Sequence, residues 1–247
     1  MRAMDNLGAV IGIAICIVFF KFLGYKKLLF LAAIPSLIGA LLILVKIKET
    51  GISDTKIYKG LSLKDFNQDF KLYLLLSAFF AIGSFSYSFL LIFAKQFGFR
   101  ITFVPVLYLI FTATASAFSL PFGMLADKAG RKFVLILSFL FWALVCTSLI
   151  FIHHYLAIVL SFVLYGLHKG ALEPVQQTLV SELAPTHYRA SSLGAFQMVI
   201  GLCAFPASLM AGLLWDKINI LAPFYLSLGF TILATIMLLF VNEIRTV

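Results

Sequence analysis

Between two long apolar runs lies GMLADKAGRK, residues 123–132, which gathers an Asp, two Lys and an Arg into ten positions. The chain around it is 62% hydrophobic and 12% charged, so the cluster marks a place where the backbone leaves an apolar medium. The mean hydropathy is +1.07, and the apolar residues come in blocks, not at the spacing of a soluble core face. At a rise of about 1.5 Å per residue, about 20 residues cross the hydrocarbon of a bilayer. Blocks at 7–23, 28–46, 70–94, 101–123, 132–152, 155–180, 190–214 and 220–241 approach or exceed that length. They predict an all-α, polytopic membrane protein of eight spans with both termini on one side. Barrel strands would alternate polar and apolar residues, and these blocks do not. The first block has neither a basic leader nor a small-residue cleavage site, so it reads as a span and not as a signal peptide.

The net charge of +9 sits in the links between spans. With both termini in the cytoplasm, twelve Lys and Arg fall on that side, six fall on the other, and Lys169 lies within a span. That bias obeys the positive-inside rule, and its expected partner is membrane lipid, not nucleic acid. Cys16, Cys146 and Cys203 each fall inside an apolar block at no metal-ligand spacing, and read as small packing residues. The sequence calls for no metal or cofactor.

The longest polar stretch, KIKETGISDTKIYKGLSLKDFNQDFK at 46–71, separates two spans from six. It predicts three parts: residues 1–46, a cytoplasmic linker over 47–69 with a short amphipathic helix near 61–70, and residues 70–247 as a six-helix unit. A repeat supports the division, because RAMDNLGAVIG at 2–12 resembles RASSLGAF at 189–196. Both open a span from the cytoplasmic side, as in transporters built from structural repeats. If the copies are equivalent, the first two spans are the fifth and sixth of an earlier set of six.

This arrangement, with Gly123, Asp127, Lys128, Gly130, Arg131 and Lys132 in the register G-x-x-x-D-[RK]-x-G-[RK]-[RK], resembles the major facilitator superfamily (MFS). SELAPTHYRASSLGAF at 181–196 is similar to that family's loop before its eleventh helix, and FPASLMAGLLWDKI at 205–218 to the helix itself. The resemblance covers nearly the whole chain. It implies two six-helix bundles joined by a cytoplasmic loop, of which this chain resembles the last eight helices, with four N-terminal helices missing as partners. It further implies a prokaryotic plasma membrane location and a gating role for the 123–132 loop, which braces the two bundles. Asp127 is then expected near the start of the helix opened by residues 5–8, with Arg131 as its charge partner. Gly123 is expected to permit a close helix approach and Gly130 a tight turn. Lys128, Arg131 and Lys132 also suit anionic lipid.

Inside the span 155–180, YGLHKGALEPVQQ places His168, Lys169 and Glu173 at depths where a charge costs about 2.5–3.5 kcal/mol unless it has a partner or a cavity. Lys169 and Glu173 are four apart and share a helix face. Either they pair and hold the bundle together, or they line a cavity and bind solute or a coupling proton. His168 points about 100° away and suits a helix-interface hydrogen bond as well as a proton path. In GSFSYSFLL at 83–91, Ser84 and Ser88 are expected on one face of a continuous helix with Tyr87 beside them. The resemblance puts that helix along the solute cavity.

The expected function is secondary transport of a small solute by alternating access, with proton coupling and export as the specific form. The alternative is a fragment or remnant that does not transport. A membrane enzyme would need a metal motif or an activated nucleophile, and the sequence offers neither.

Overall fold

The computed structural model describes residues 2–46, 66–100, 103–152, 154–185 and 188–243, the side chains of 2–6, 21 and 25 excepted. Among them the secondary structure is helical throughout: α1 Arg2–Lys46, α2 Gln68–Gly83, α3 Tyr87–Gln96, α4 Val104–Ala129, α5 Arg131–Phe151, α6 Tyr155–Leu183, α7 Arg189–Lys217 and α8 Ala222–Leu239. Seven described helical stretches are long and apolar enough to cross a membrane, α2 and α3 together making one of them, and Leu7–Phe20 is a shorter apolar helix. This is the all-α membrane bundle that the apolar blocks predict.

α1 joins the first two expected spans at Gly24, whose φ of 64° and ψ of 174° lie outside the helical region. Only glycine takes such a conformation cheaply. Before the break, Val10, Ile13, Ala14, Ile17 and Phe20 are half-buried at helical spacing, and α1 packs on α4. After the break, Lys26–Lys46 buries none of its apolar window. The linker at 47–65 and most of the amphipathic helix expected at 61–70 lie outside the described residues; α2 begins earlier than expected, capped by Asn67, whose Oδ1 accepts from Phe70 N at 2.7 Å.

One expectation fails. The block at 70–94 is two helices, broken at Ser84 to Ser86, where Ser84 takes extended angles (φ −98°, ψ 90°) and the Ser86 hydroxyl caps α3 by accepting from Ser88 N. Ser84 and Ser88 therefore do not share one helical face. The cause is local: a serine side chain offers the backbone a bond that competes with the helix.

α6 sits at the centre, packed on α4, α5 and α7. In a bilayer there is little hydrophobic drive between helices, so close approach and interhelical hydrogen bonds carry the packing. Gly166 and Gly170, one turn apart, give α4 its seat: a Cβ at Gly166 would stand 2.6 Å from the Phe111 carbonyl oxygen, and at Gly170 2.9 Å from that of Ala115. Trp142, fully buried on α5, donates its Nε1–H to Ser227 Oγ on α8 at 2.8 Å. His168 and Ser138 tie α6 to α5. The Ser138 carbonyl, 2.9 Å from His168 Nδ1, can only accept, so Nδ1 carries the proton. Ser138 Oγ–H returns a bond to the His168 carbonyl at 3.1 Å.

Candidate functional site

A cavity of about 520 Å³ opens between α2, α3, α4, α6 and α7. Its α6 wall is a stripe of Tyr165, Lys169, Leu172, Glu173, Gln176 and Gln177, the spacing of one helix face. A cavity on that face relieves the cost of placing Lys169 and Glu173 at membrane depth. Opposite stand Ser84, Ser86 and Tyr87 from the helix break, with Gln197 and Ser208 contributed by α7. The Lys169 ammonium lies over the Tyr165 ring, 5.9 Å from its centroid, a cation–π arrangement. Tyr165 in turn meets Phe111 at 5.2 Å, and Phe111 meets Tyr108 at 4.8 Å and Tyr87 at 5.7 Å.

The cavity thus brings together Lys169, Glu173, Ser84 and Tyr87. Ser88 is outside the lining; its hydroxyl is 3.2 Å from that of Ser86. His168 also stands outside it, behind the rings of Phe80 (5.7 Å) and Tyr165 (6.0 Å), fully buried, with Nε2 lacking a partner among the described residues. Sequence reading missed Ser86, whose capping role is signalled by Ser-x-Ser after a glycine. It also missed Gln197, which nothing local to α7 singles out.

The loop at 123–132 forms a second polar centre. Gly130 ends α4 at φ 106°, and a Cβ there would meet Glu243 Oε2 at 2.8 Å. Glu243 sits over the start of α5, where Arg131 N and Lys132 N donate to its two oxygens at 2.6 and 3.4 Å. A carboxylate at a helix N-terminus satisfies orphan amides and complements the dipole. The Arg131 guanidinium bridges Asp127 at 3.2 Å and Glu182, in the last turn of α6, at 2.9 Å. Arg131 Nε and Glu182 Oε2 are buried without a partner among the described residues. Lys132 Nζ donates to the carbonyls of Leu239 and Val241, so its charge complements the end of α8. Asn242, between Val241 and Glu243, donates its backbone N–H to Asp69 Oδ1 at 2.9 Å and so ties the same tail to the start of α2.

Two expectations for this loop concern its neighbours. Among the described residues nothing lies within 4 Å of a Cβ placed on Gly123, so none of them makes the close helix approach expected there. The side chains of residues 2–6, and with them the expected neighbourhood of Asp127 at the start of α1, lie outside the described residues; the Asp127 side chain is 71% exposed.

Residues 72–246 match the family model of the Major Facilitator Superfamily. Over 248 aligned positions the chain is 31% identical to an uncharacterized MFS-type transporter of Methanocaldococcus jannaschii, covering 97% of this chain. The chain spans 62% of the length of that relative. With the family match running from α2 to the end of the chain, across both the cavity and the charged loop, this integral membrane protein belongs to the Major Facilitator Superfamily.

Proposed function

We propose that the protein moves a small solute across the membrane by alternating access, with the cavity beside α6 as its solute site and Glu173 as the group that carries a coupling proton. The observation that carries this reading is the stripe of Lys169, Glu173, Gln176 and Gln177 along a cavity of about 520 Å³. That is a volume suited to a small organic molecule, and intramembrane charges on such a wall mark solute or proton paths. In this reading residues 70–247 act as one six-helix bundle that rocks against a partner bundle, α1 supplies two helices of that partner, and the 123–132 loop braces the contact on the cytoplasmic side. The membership of the family supports the mode of action, and the relative's description as a transporter agrees with it.

The test is flux in proteoliposomes under an imposed pH gradient, wild type against Glu173→Gln. Gradient-driven flux should disappear in the variant while exchange of solute across equal pH persists. Equal gradient-driven flux in both would remove Glu173 from the coupling path, and no flux from either would favour a chain that does not transport.

A further inference from the structure

The wall of the proposed solute site carries Lys169 one turn from Glu173, and the surroundings of Lys169 carry a more specific reading. Lys169 is a fixed positive charge at membrane depth, held over the Tyr165 ring. Tyr165 is only 4% exposed, yet it lines the cavity, and its hydroxyl has no hydrogen-bond partner among the described residues. A phenol O–H that faces a cavity with no protein acceptor is a donor open to a solute.

The helix break adds to these surroundings. α3 is ten residues long and starts at Tyr87, whose ring reaches Phe111, the ring that also contacts Tyr165. The Ser86 hydroxyl accepts from Ser88 N at 3.3 Å and the Ser86 carbonyl from Phe89 N at 3.0 Å, so of the first amides of α3 that of Tyr87 alone is left open among the described residues. Among the described residues, the amides of Phe85, Ser86 and Tyr87 have no acceptor. The amides of the break and the first residue of a helix point donors toward the cavity, an arrangement that favours anions.

We infer that the end of the cavity bounded by Lys169, the Tyr165 hydroxyl and the start of α3 is an anion subsite. It takes the carboxylate, or an oxyanion of the same charge, of an organic solute whose flat apolar body lies against Tyr87, Tyr108 and Phe111. The inference rests on the reading of the cavity as the solute site. Cation, free amides and phenol O–H are all donors, so the subsite selects against a positively charged or neutral group at that end. The rings of Tyr87, Tyr108 and Phe111 lie 4.8–5.7 Å apart in a continuous wall, the surface on which a planar body is buried with little loss of rotamer freedom.

The experiment uses the full chain in proteoliposomes with Cys16, Cys146 and Cys203 replaced and a single reporter, Ser84→Cys, labelled with the neutral reagent N-ethylmaleimide. Ser208→Cys, on α7, is the second reporter. Labelling rates are compared without solute and with three probes of one shape: benzoate, benzamide and benzylammonium. Benzoate alone should slow labelling. That protection should need about tenfold more benzoate in Lys169→Gln, the loss of one charge-assisted hydrogen bond, and return in Lys169→Arg. Equal protection by benzamide or benzylammonium, no protection by benzoate, or benzoate protection unchanged in Lys169→Gln would overturn the anion subsite alone. Failure of N-ethylmaleimide to label either reporter in folded protein would overturn the solute cavity itself, and the subsite with it.

Discussion

At residues 127–132 an Arg and a Lys end on protein: Arg131 on Asp127 and Glu182, and Lys132 on two carbonyls at the end of α8. On α6, Lys169 ends over an aromatic ring at the edge of a cavity. The two regions use the same kinds of side chain at different depths. At the 127–132 loop, the charges join α4, α5, α6 and α8 into one cross-braced corner. In the cavity, the charge sits at membrane depth, where solvation is poorest and a ligand that supplies the counter-charge gains most. In the proposed function the difference separates groups that hold the bundle from groups that bind. Substitutions in the first region should be read in stability, and substitutions in the second in solute handling.

The largest stability effect should come from Arg131→Ala. Its side chain is 19% exposed and that of Glu182 is 26% exposed, so removal strands a carboxylate in a partly desolvated corner. Breaking such a pair costs about 3 kcal/mol. Thermal unfolding of the purified protein should fall clearly, and Glu182→Gln introduced in the Arg131→Ala background should recover part of the loss. A single variant as stable as wild type would mean that the corner does not brace the fold.

Gly130→Ala comes next, at about 1–2 kcal/mol, because φ of 106° is left-handed backbone that an L side chain resists. The added methyl would also press on the Glu243 carboxylate, loosening the cap on α5. Gly123→Ala is the internal comparison, since its Cβ meets nothing described. Similar losses at the two glycines would break the argument that the turn, and not helix propensity, requires Gly130.

The same contrast explains what was legible in the sequence. The crossings were readable because a bilayer demands long apolar runs and the chain supplies them. The charged loop was readable because Asp127, Gly130, Arg131 and Lys132 lie within six residues, and a contiguous motif survives without tertiary knowledge. Its partners were not readable: Glu243 is 112 positions from Arg131, and Glu182 stands 51 residues beyond it in the sequence, so only packing brings them together. On α6 the i, i+4 spacing of Lys169 and Glu173 identified one cavity wall. The opposite wall depends on a helix break at Ser84 to Ser86 that apolar length conceals, since the residues on either side continue the same hydrophobic run. Ser138, which anchors His168, is one of many membrane serines, and no local signal distinguishes it.

The smallest stability effect, and the sharpest separation of the two regions, should come from Tyr165→Phe. The ring is packed among Phe111, Trp142 and His168, and phenylalanine preserves that packing. The hydroxyl has no partner among the described residues, so removing it breaks no hydrogen bond and should change unfolding by less than about 0.5 kcal/mol. A hydroxyl with a role in neither the bundle nor the site would be silent in both assays. If the hydroxyl instead waits for the solute, benzoate protection of the Ser84→Cys reporter should weaken about threefold to tenfold, the worth of one hydrogen bond. Stability lost without a change in protection would move Tyr165 to the bracing side of the comparison. Protection lost at unchanged stability would set the cavity apart from the loop by a single oxygen atom.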